Sequence, residues 1–318
     1  MRAKFDVLNK VVLLQSYRGW IMEAIARESA NAIKISPKVR YIASGRRELV
    51  NPRILVNTLI MGGFKDSLFL GYESYLRARK IGHVSPESSN LYFTHQNQIP
   101  EHHDFEKFSK ILVMNEADKR LLTSYGANSE RIQIVFGAID KSIFYPSSVE
   151  AAKDLNQRTP YVLITSDCKP RKNPELILEV ISAMPHLDFI IHGKGWREFL
   201  SRQNSDLSNL KILEFNLEMQ PLLMRNAHAF LSLSVIEGGP YPLIEALACG
   251  TPALVTATGF ANDFINDENG YVIAPDLRIS EICELLNETV RKKQNLFGLD
   301  LTNRNLSWEE LGTALYSR

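Results

Sequence analysis

Apolar residues fall in short runs divided by polar turns, and the runs alternate between two periods along the chain. Residues 10–15 form a compact apolar run around Val11, Val12, Leu13 and Leu14 and read as a buried strand. A turn containing Arg18 and Gly19 follows, and then residues 20–33 read as a helix. Trp20, Ile21, Ala24, Ile25 and Ala26 share one face of it. Short strands are predicted at 39–42, 54–59 and 91–94, with helical stretches between them that include 68–80. A further strand at 111–114 leads to Asn115, a good helix N-cap. The helix that follows runs to Tyr125 and stops at Gly126. Residues 131–135 read as another short strand.

Residues 145–160 are polar and turn-rich, and beyond them the rhythm restarts. Strands are predicted at 161–165, 188–192, 210–212, 229–234 and 253–256. Helices are predicted at 174–183, 219–227 and 242–248, the first with Pro174 in its opening turn. Alternating strands and helices imply an α/β chain of two doubly wound, Rossmann-like parallel-sheet domains. The divisions expected are 1–145, 146–300 and a last helix over 301–318. Open sheets of this kind bind ligands beyond the carboxyl ends of their strands, so an interdomain cleft is the expected site.

Composition narrows the class. Over 318 residues, 45% are hydrophobic and 23% charged, as in soluble globular proteins. No apolar run reaches the roughly 18 residues of a spanning helix, and Asp6 interrupts any leader-like core. Three widely spaced cysteines, Cys168, Cys249 and Cys283, fit a reducing cytoplasm better than a disulfide framework. The net charge of +1 conceals an asymmetry. Residues 1–145 carry 21 Lys and Arg against 14 Asp and Glu, and the remainder carries 16 against 22. A basic first half suits anionic lipid or acidic glycan. It shows no dense Lys/Arg run and no basic–aromatic interleaving, so nucleic acid is not an expected partner.

The segment 232–252 carries the chemistry. A strand runs into Glu237, Gly238 and Gly239, and a helix opens near Pro242 and ends at Gly250. Glycines permit close backbone approach, and a helix N-terminus favours anions. Glu237 and Glu245 stand ready to accept hydrogen bonds from ligand hydroxyls. Read from the residues alone, this is a phosphate- or hydroxyl-binding turn.

The full segment resembles the signature of the family-4 retaining glycosyltransferases, the glycosyl transferases group 1 of GT-B fold. Two glutamates, Glu237 and Glu245, are separated by seven intervening residues, and the second opens Glu245, Ala246, Ala248, Gly250 and Pro252 in the family's spacing. Gly137, Asp140, Phe144 and Pro146 resemble the family's interdomain junction. Gly193 and Gly195 resemble its Gly-x-Gly turn, Asn269 and Gly270 its downstream turn, and Ser307 and Trp308 its final helix, which packs back on the first domain. The resemblance implies that Glu237 and the loop through Gly238, Gly239 and Tyr241 meet the donor sugar. It implies that Glu245 binds the ribose, and that Lys172 grips the donor phosphates with Gly193 nearby. His95, after the strand at 91–94, resembles a histidine that touches the donor sugar, and Arg18 and Gly19 are expected on the acceptor side.

The sequence also departs from the pattern. Asp167 stands where the family has a phosphate-binding arginine, which leaves Lys169 or Arg171 as substitutes, and Pro240 removes one backbone donor from the loop. His102 and His103 are adjacent, without metal-ligand spacing, and no metal site is expected.

The resemblance implies transfer of a sugar, with retention, from a UDP- or GDP-type nucleotide sugar to an acceptor hydroxyl. No cofactor or metal is required. The acceptor class implied is a saccharide or lipid-linked saccharide in cell-surface polysaccharide or lipopolysaccharide synthesis. The enzyme would work in the cytoplasm, with peripheral contact at the inner membrane face. A GT-B protein with epimerase chemistry, or one that binds sugar nucleotides without catalysis, shares these features.

Overall fold

The computed structural model describes residues 11–15, 21–35, 38–41, 66–72, 75–76, 79, 85–92, 105–146, 160–203, 206–293 and 306–317. Two compact units emerge: residues 1–138 with 305–318, and residues 139–304. The division thus falls before the polar seam at 145–160 rather than within it. The expected strand at 54–59 lies outside the described residues.

In the first unit, β1 (Val11–Gln15), β2 (Lys38–Tyr41), β3 (Asp66–Leu70), β4 (Ser89–Tyr92), β5 (Lys110–Val113) and β6 (Ile132–Ile134) form one sheet, ordered β2-β1-β3-β4-β5-β6. Every pairing is parallel. Helix α1 (Ile21–Ala32) follows β1, and α2 (Glu116–Ser124) follows β5. Asn115 caps α2 by accepting the Asp118 N–H at 2.7 Å, and Gly126 ends it with φ of 90°. One expectation is overturned here. The start of the predicted helix at 68–80 is the central strand β3, with helical backbone beginning only at Tyr72. Leu68, Phe69 and Leu70 are all buried, and β3 is flanked by β1 and β4. Such a continuous apolar run imitates a buried helix in sequence.

The second unit repeats the plan. Its strands are β7 (Tyr161–Thr165), β8 (Asp188–His192), β9 (Leu210–Leu213), β10 (Ala229–Ser232), β11 (Ala253–Thr256) and β12 (Gly270–Ile273). They order as β12-β11-β10-β7-β8-β9, again all parallel. The helices are α3 (Pro174–Ala183), α4 (Trp196–Gln203), α5 (Gln220–Asn226), α6 (Tyr241–Ala248), α7 (Ala261–Phe264) and α8 (Ile279–Lys292). One core joins Val162, Ile164, Ile181, Trp196, Leu231 and Leu286 across the sheet and its helices. The chain builds outward from β7 through β8 and β9, then returns to the other side of β7 with β10. That reversal makes the β7/β10 boundary the topological switch point, where open α/β sheets bind ligands.

The last helix, α9 (Trp308–Tyr316), belongs to the first unit and packs on α1. Ser307 caps it by accepting the Glu310 N–H at 3.1 Å. Gly312 lets the two backbones meet, since a Cβ there would fall 2.1 Å from the Ser29 carbonyl oxygen. Its C-terminal end is held by buried Asn90, which donates to the carbonyls of Leu315 (2.9 Å) and Ser317 (3.0 Å). Tyr316 OH donates to Ala26 O at 2.7 Å. Among the described residues no helix is long and apolar enough to cross a membrane.

Candidate functional site

Two loops leave the switch point side by side: 166–173 after β7 and 233–240 after β10. Backbone bonds knit them. The Val235 N–H donates to Arg171 O at 2.8 Å, and Arg171 Nη1 donates to Ile236 O at 3.2 Å. Residues Pro170–Lys172 make one 3-10 turn closed by Asn173, whose left-handed φ of 56° suits asparagine. α3 starts there with Pro174, so the turn is fixed from both sides. Its two basic side chains converge on one carboxylate. Arg171 Nη1 lies 2.9 Å from Glu237 Oε2, and Lys172 Nζ makes a short contact with Oε1.

Glu237 is buried at 5% exposure, and the Ser234 hydroxyl is a further hydrogen-bond partner. Burial alone would raise its pKa. Lys172 and Arg171 outweigh that, so the carboxyl stays below its ordinary range and ionised. Burial lowers the Lys172 pKa, with Arg171 and Lys169 adding to the fall and Glu237 opposing it. The group is therefore two cations on one anion, an excess of positive charge at the carboxyl end of the sheet.

Glu245 sits just past the first turn of α6. It is half-buried by surface exposure, yet its carboxyl lies deep among neighbouring atoms. Burial pushes its pKa up to about 7, against a partial offset from the Gln220 hydrogen bond. The helix start is Tyr241, not Pro242, with Pro240 at the N-cap. The N-terminus is a poorer anion site than the sequence suggested. Pro242 has no N–H, and the Leu243 N–H already donates to Pro240 O at 2.9 Å. β10 also ends at Ser232 rather than 234. Ser234 turns inward instead, and its carbonyl accepts from the Thr256 hydroxyl.

Gly193 has a packing role. A Cβ there would fall 1.8 Å from the Ser166 carbonyl oxygen, so only glycine lets the turn after β8 touch the loop after β7. Gly259 and Gly195 have left-handed backbone at the site, whereas Gly238 and Gly239 do not. The φ of Gly259 is 55°, and a Cβ there would stand 2.6 Å from Gly238 O. Asp167 is engaged as well. It accepts the Lys194 N–H at 3.3 Å and pairs with Lys169 at 3.6 Å. Lys169 thus serves Asp167, while Arg171 stands beside Lys172. Arg18, Gly19, His95, His102 and His103 lie outside the described residues.

Residues that pattern reasoning missed also meet here. Ser234 touches Glu237, and buried His192 and Gln220 lead to Glu245. His192 ends a strand beside a Gly-x-Gly turn, a signal the sequence offered; Gln220 offered none.

Residues 148–297 match the model of the family described as glycosyl transferases group 1. The D-inositol 3-phosphate glycosyltransferase of Mycobacteroides abscessus is 24% identical over 65% of this chain and 50% of its own length. A GDP-mannose-dependent monoacylated alpha-(1-6)-phosphatidylinositol monomannoside mannosyltransferase of Corynebacterium glutamicum is 26% identical over 62% and 58%. The chain spans about half the length of these curated relatives. Among solved structures, Anabaena HepE in complex with UDP-glucose aligns with a TM-score of 0.70 at 14% identity, over 97% of this chain and 95% of that one. The apo lipopolysaccharide outer core galactosyltransferase WaaB aligns with a TM-score of 0.66 at 13% identity, over 96% and 99%. The fold is GT-B.

Proposed function

We propose that this chain, whose residues 148–297 belong to the glycosyl transferases group 1 family, moves a sugar from a nucleoside diphosphate sugar to an acceptor hydroxyl with retention. The observation that carries this reading is the convergence of Lys172 and Arg171 on Glu237 at the switch point, with Glu245 on the adjoining helix.

The hard event is departure of a diphosphate from the anomeric carbon. Fixed cations aimed at the leaving group stabilise the charge it develops. Lys172 and Arg171 fill that role, and Arg171 takes the place of the arginine that Asp167 displaces. Glu237, freed from part of its pairing, accepts hydrogen bonds from the donor sugar, and Gly238, Gly239 and Tyr241 border it. Glu245 accepts the ribose hydroxyls. The acceptor oxygen attacks the face the diphosphate leaves, the bond to the phosphate oxygen breaks, and the departing phosphate takes the acceptor proton. His95 meets the donor sugar in this scheme, and Arg18 and Gly19 lie on the acceptor side.

The donor nucleotide is of the UDP or GDP type, in line with the UDP-glucose bound by HepE and the GDP-mannose dependence of the corynebacterial relative. A lipid-linked or surface saccharide acceptor fits the inositol lipid and lipopolysaccharide named for relatives and neighbours. A basic first half suits work at an anionic cytoplasmic membrane face. Turnover of labelled UDP- and GDP-sugars with candidate acceptors is the test. Full activity in Lys172→Ala or Glu245→Ala would refute the site assignment. Asp167 favours one second reading, a sugar-nucleotide-binding subunit without catalysis. Stabilisation by nucleotide with no transfer to any acceptor would support it.

A further inference from the structure

Behind Glu245 runs a directional chain of hydrogen bonds. The Asn216 N–H donates to His192 Nε2 at 2.8 Å, which assigns the ring proton to Nδ1. Nδ1 in turn donates to Gln220 Oε1 at 2.7 Å. With its oxygen so engaged, the Gln220 amide points Nε2 at Glu245 Oε2, 3.0 Å away. The Thr165 hydroxyl approaches the same Gln220 oxygen at 3.5 Å. Phe215 stacks on the imidazole, centroids 5.0 Å apart. His192 is 0% exposed and Gln220 2% exposed.

We propose that His192 and Gln220 are positioning residues that hold the Glu245 carboxylate in the one orientation that receives the ribose hydroxyls of a nucleoside diphosphate. The inference rests on the function proposed above. Two apolar residues would fill the same space at lower desolvation cost. A fully paired polar chain supplies direction, which packing alone does not. Gln220 occupies one side of Oε2, while Oε1 takes no hydrogen bond among the described residues. A vicinal diol needs such an arrangement, with one oxygen anchored and the other open. The two residues come from different elements, the end of β8 and the start of α5, and both act on α6.

The test is calorimetric titration of the full chain with UDP and GDP, each against its 2′-deoxy form. Wild type is expected to prefer the ribose form by about tenfold, the scale of one hydrogen bond to a charged group. Gln220→Met should bring that ratio close to one while affinity for the deoxy form holds within about twofold. His192→Phe should act in the same direction, and His192→Asn, which restores a donor near Nδ1, should recover the ratio. Loss of affinity for ribose and deoxyribose forms alike, or an unchanged ratio in Gln220→Met, would overturn the proposal. Equal wild-type affinity for both forms would overturn it too, by removing the ribose from Glu245. Wild type that binds neither UDP nor GDP would refute the proposed function itself.

Discussion

Replacing Glu245 with glutamine should stabilise the protein, by an amount that grows from about pH 4.5 and levels off above about pH 7. Burial raises this carboxyl from 4.5 to about 7 in the folded state. Between those values the folded chain holds a proton that the unfolded chain has released. The associated stability is complete below about pH 4.5 and is lost as pH rises through about 7. Each pH unit of displacement is worth about 1.4 kcal/mol, so the loss amounts to about 3 kcal/mol by pH 8.5. Glutamine is a permanent analogue of the protonated form, and its carbonyl can still accept from Gln220 Nε2. Glu245→Gln should therefore match wild type near pH 5 and exceed it by about 3 kcal/mol near pH 8.5. In a unit of this size that raises the transition by about 6–12 °C. Calorimetric scans of the full chain and the variant across this range would read it, with attention to the transition of the second unit. Because the comparison is between variant and wild type at each pH, other titrating groups cancel. A stability gap that is the same at pH 5 and 8.5 would refute the reasoning. The variant should also lose ribose discrimination, so the ionised carboxylate would be a stability cost accepted for donor recognition.

Lys172→Met should cost about 2–4 kcal/mol in urea denaturation, because it strips the buried Glu237 of its nearer cation. Arg171→Met should cost less, since that side chain is 38% exposed against 14% for Lys172, and the reverse order would contradict the assigned roles. Asp167→Arg should tighten nucleoside diphosphate binding relative to the monophosphate, with a stability change under about 1 kcal/mol given the exposed pairing it removes; unchanged selectivity in calorimetry would count against Arg171 as substitute for the displaced arginine. Gly259→Ala should lose about 1–2 kcal/mol from its left-handed backbone alone and weaken UDP binding by displacing the Gly238 carbonyl, and wild-type affinity would argue that the loop is not at the ligand.

Much of the fold was legible because most elements here announce themselves locally. Asn115 and Gly126 bracket α2, Pro174 opens α3, and the runs at 161–165 and 188–192 are strands in the structure. The misread stretch at 68–70 failed for a physical reason. A central strand of a parallel sheet is buried on both faces and loses the alternation that marks a strand. Pattern also missed α4, α8 and β12, although each places residues in the second core and α8 carries a capping pair between Arg278 and Glu281. At the site, Glu237, Glu245 and Lys172 could be named from sequence, whereas the separate partners of Lys169 and Arg171 could not.

The sequence by itself determined the repeating strand–helix order, the spacing of Glu237 and Glu245, and the glycine turn between β10 and α6. These depend on neighbours within a few residues, where backbone preference and periodicity suffice. Only the tertiary structure decided that the β7 and β10 loops adjoin, that Arg171 and Lys172 share Glu237, and that His192 and Gln220 stand behind Glu245. Those contacts join residues tens of positions apart, and strand order brings them together. Strand order follows from how a whole sheet buries its two faces, a property that no local stretch of chain contains.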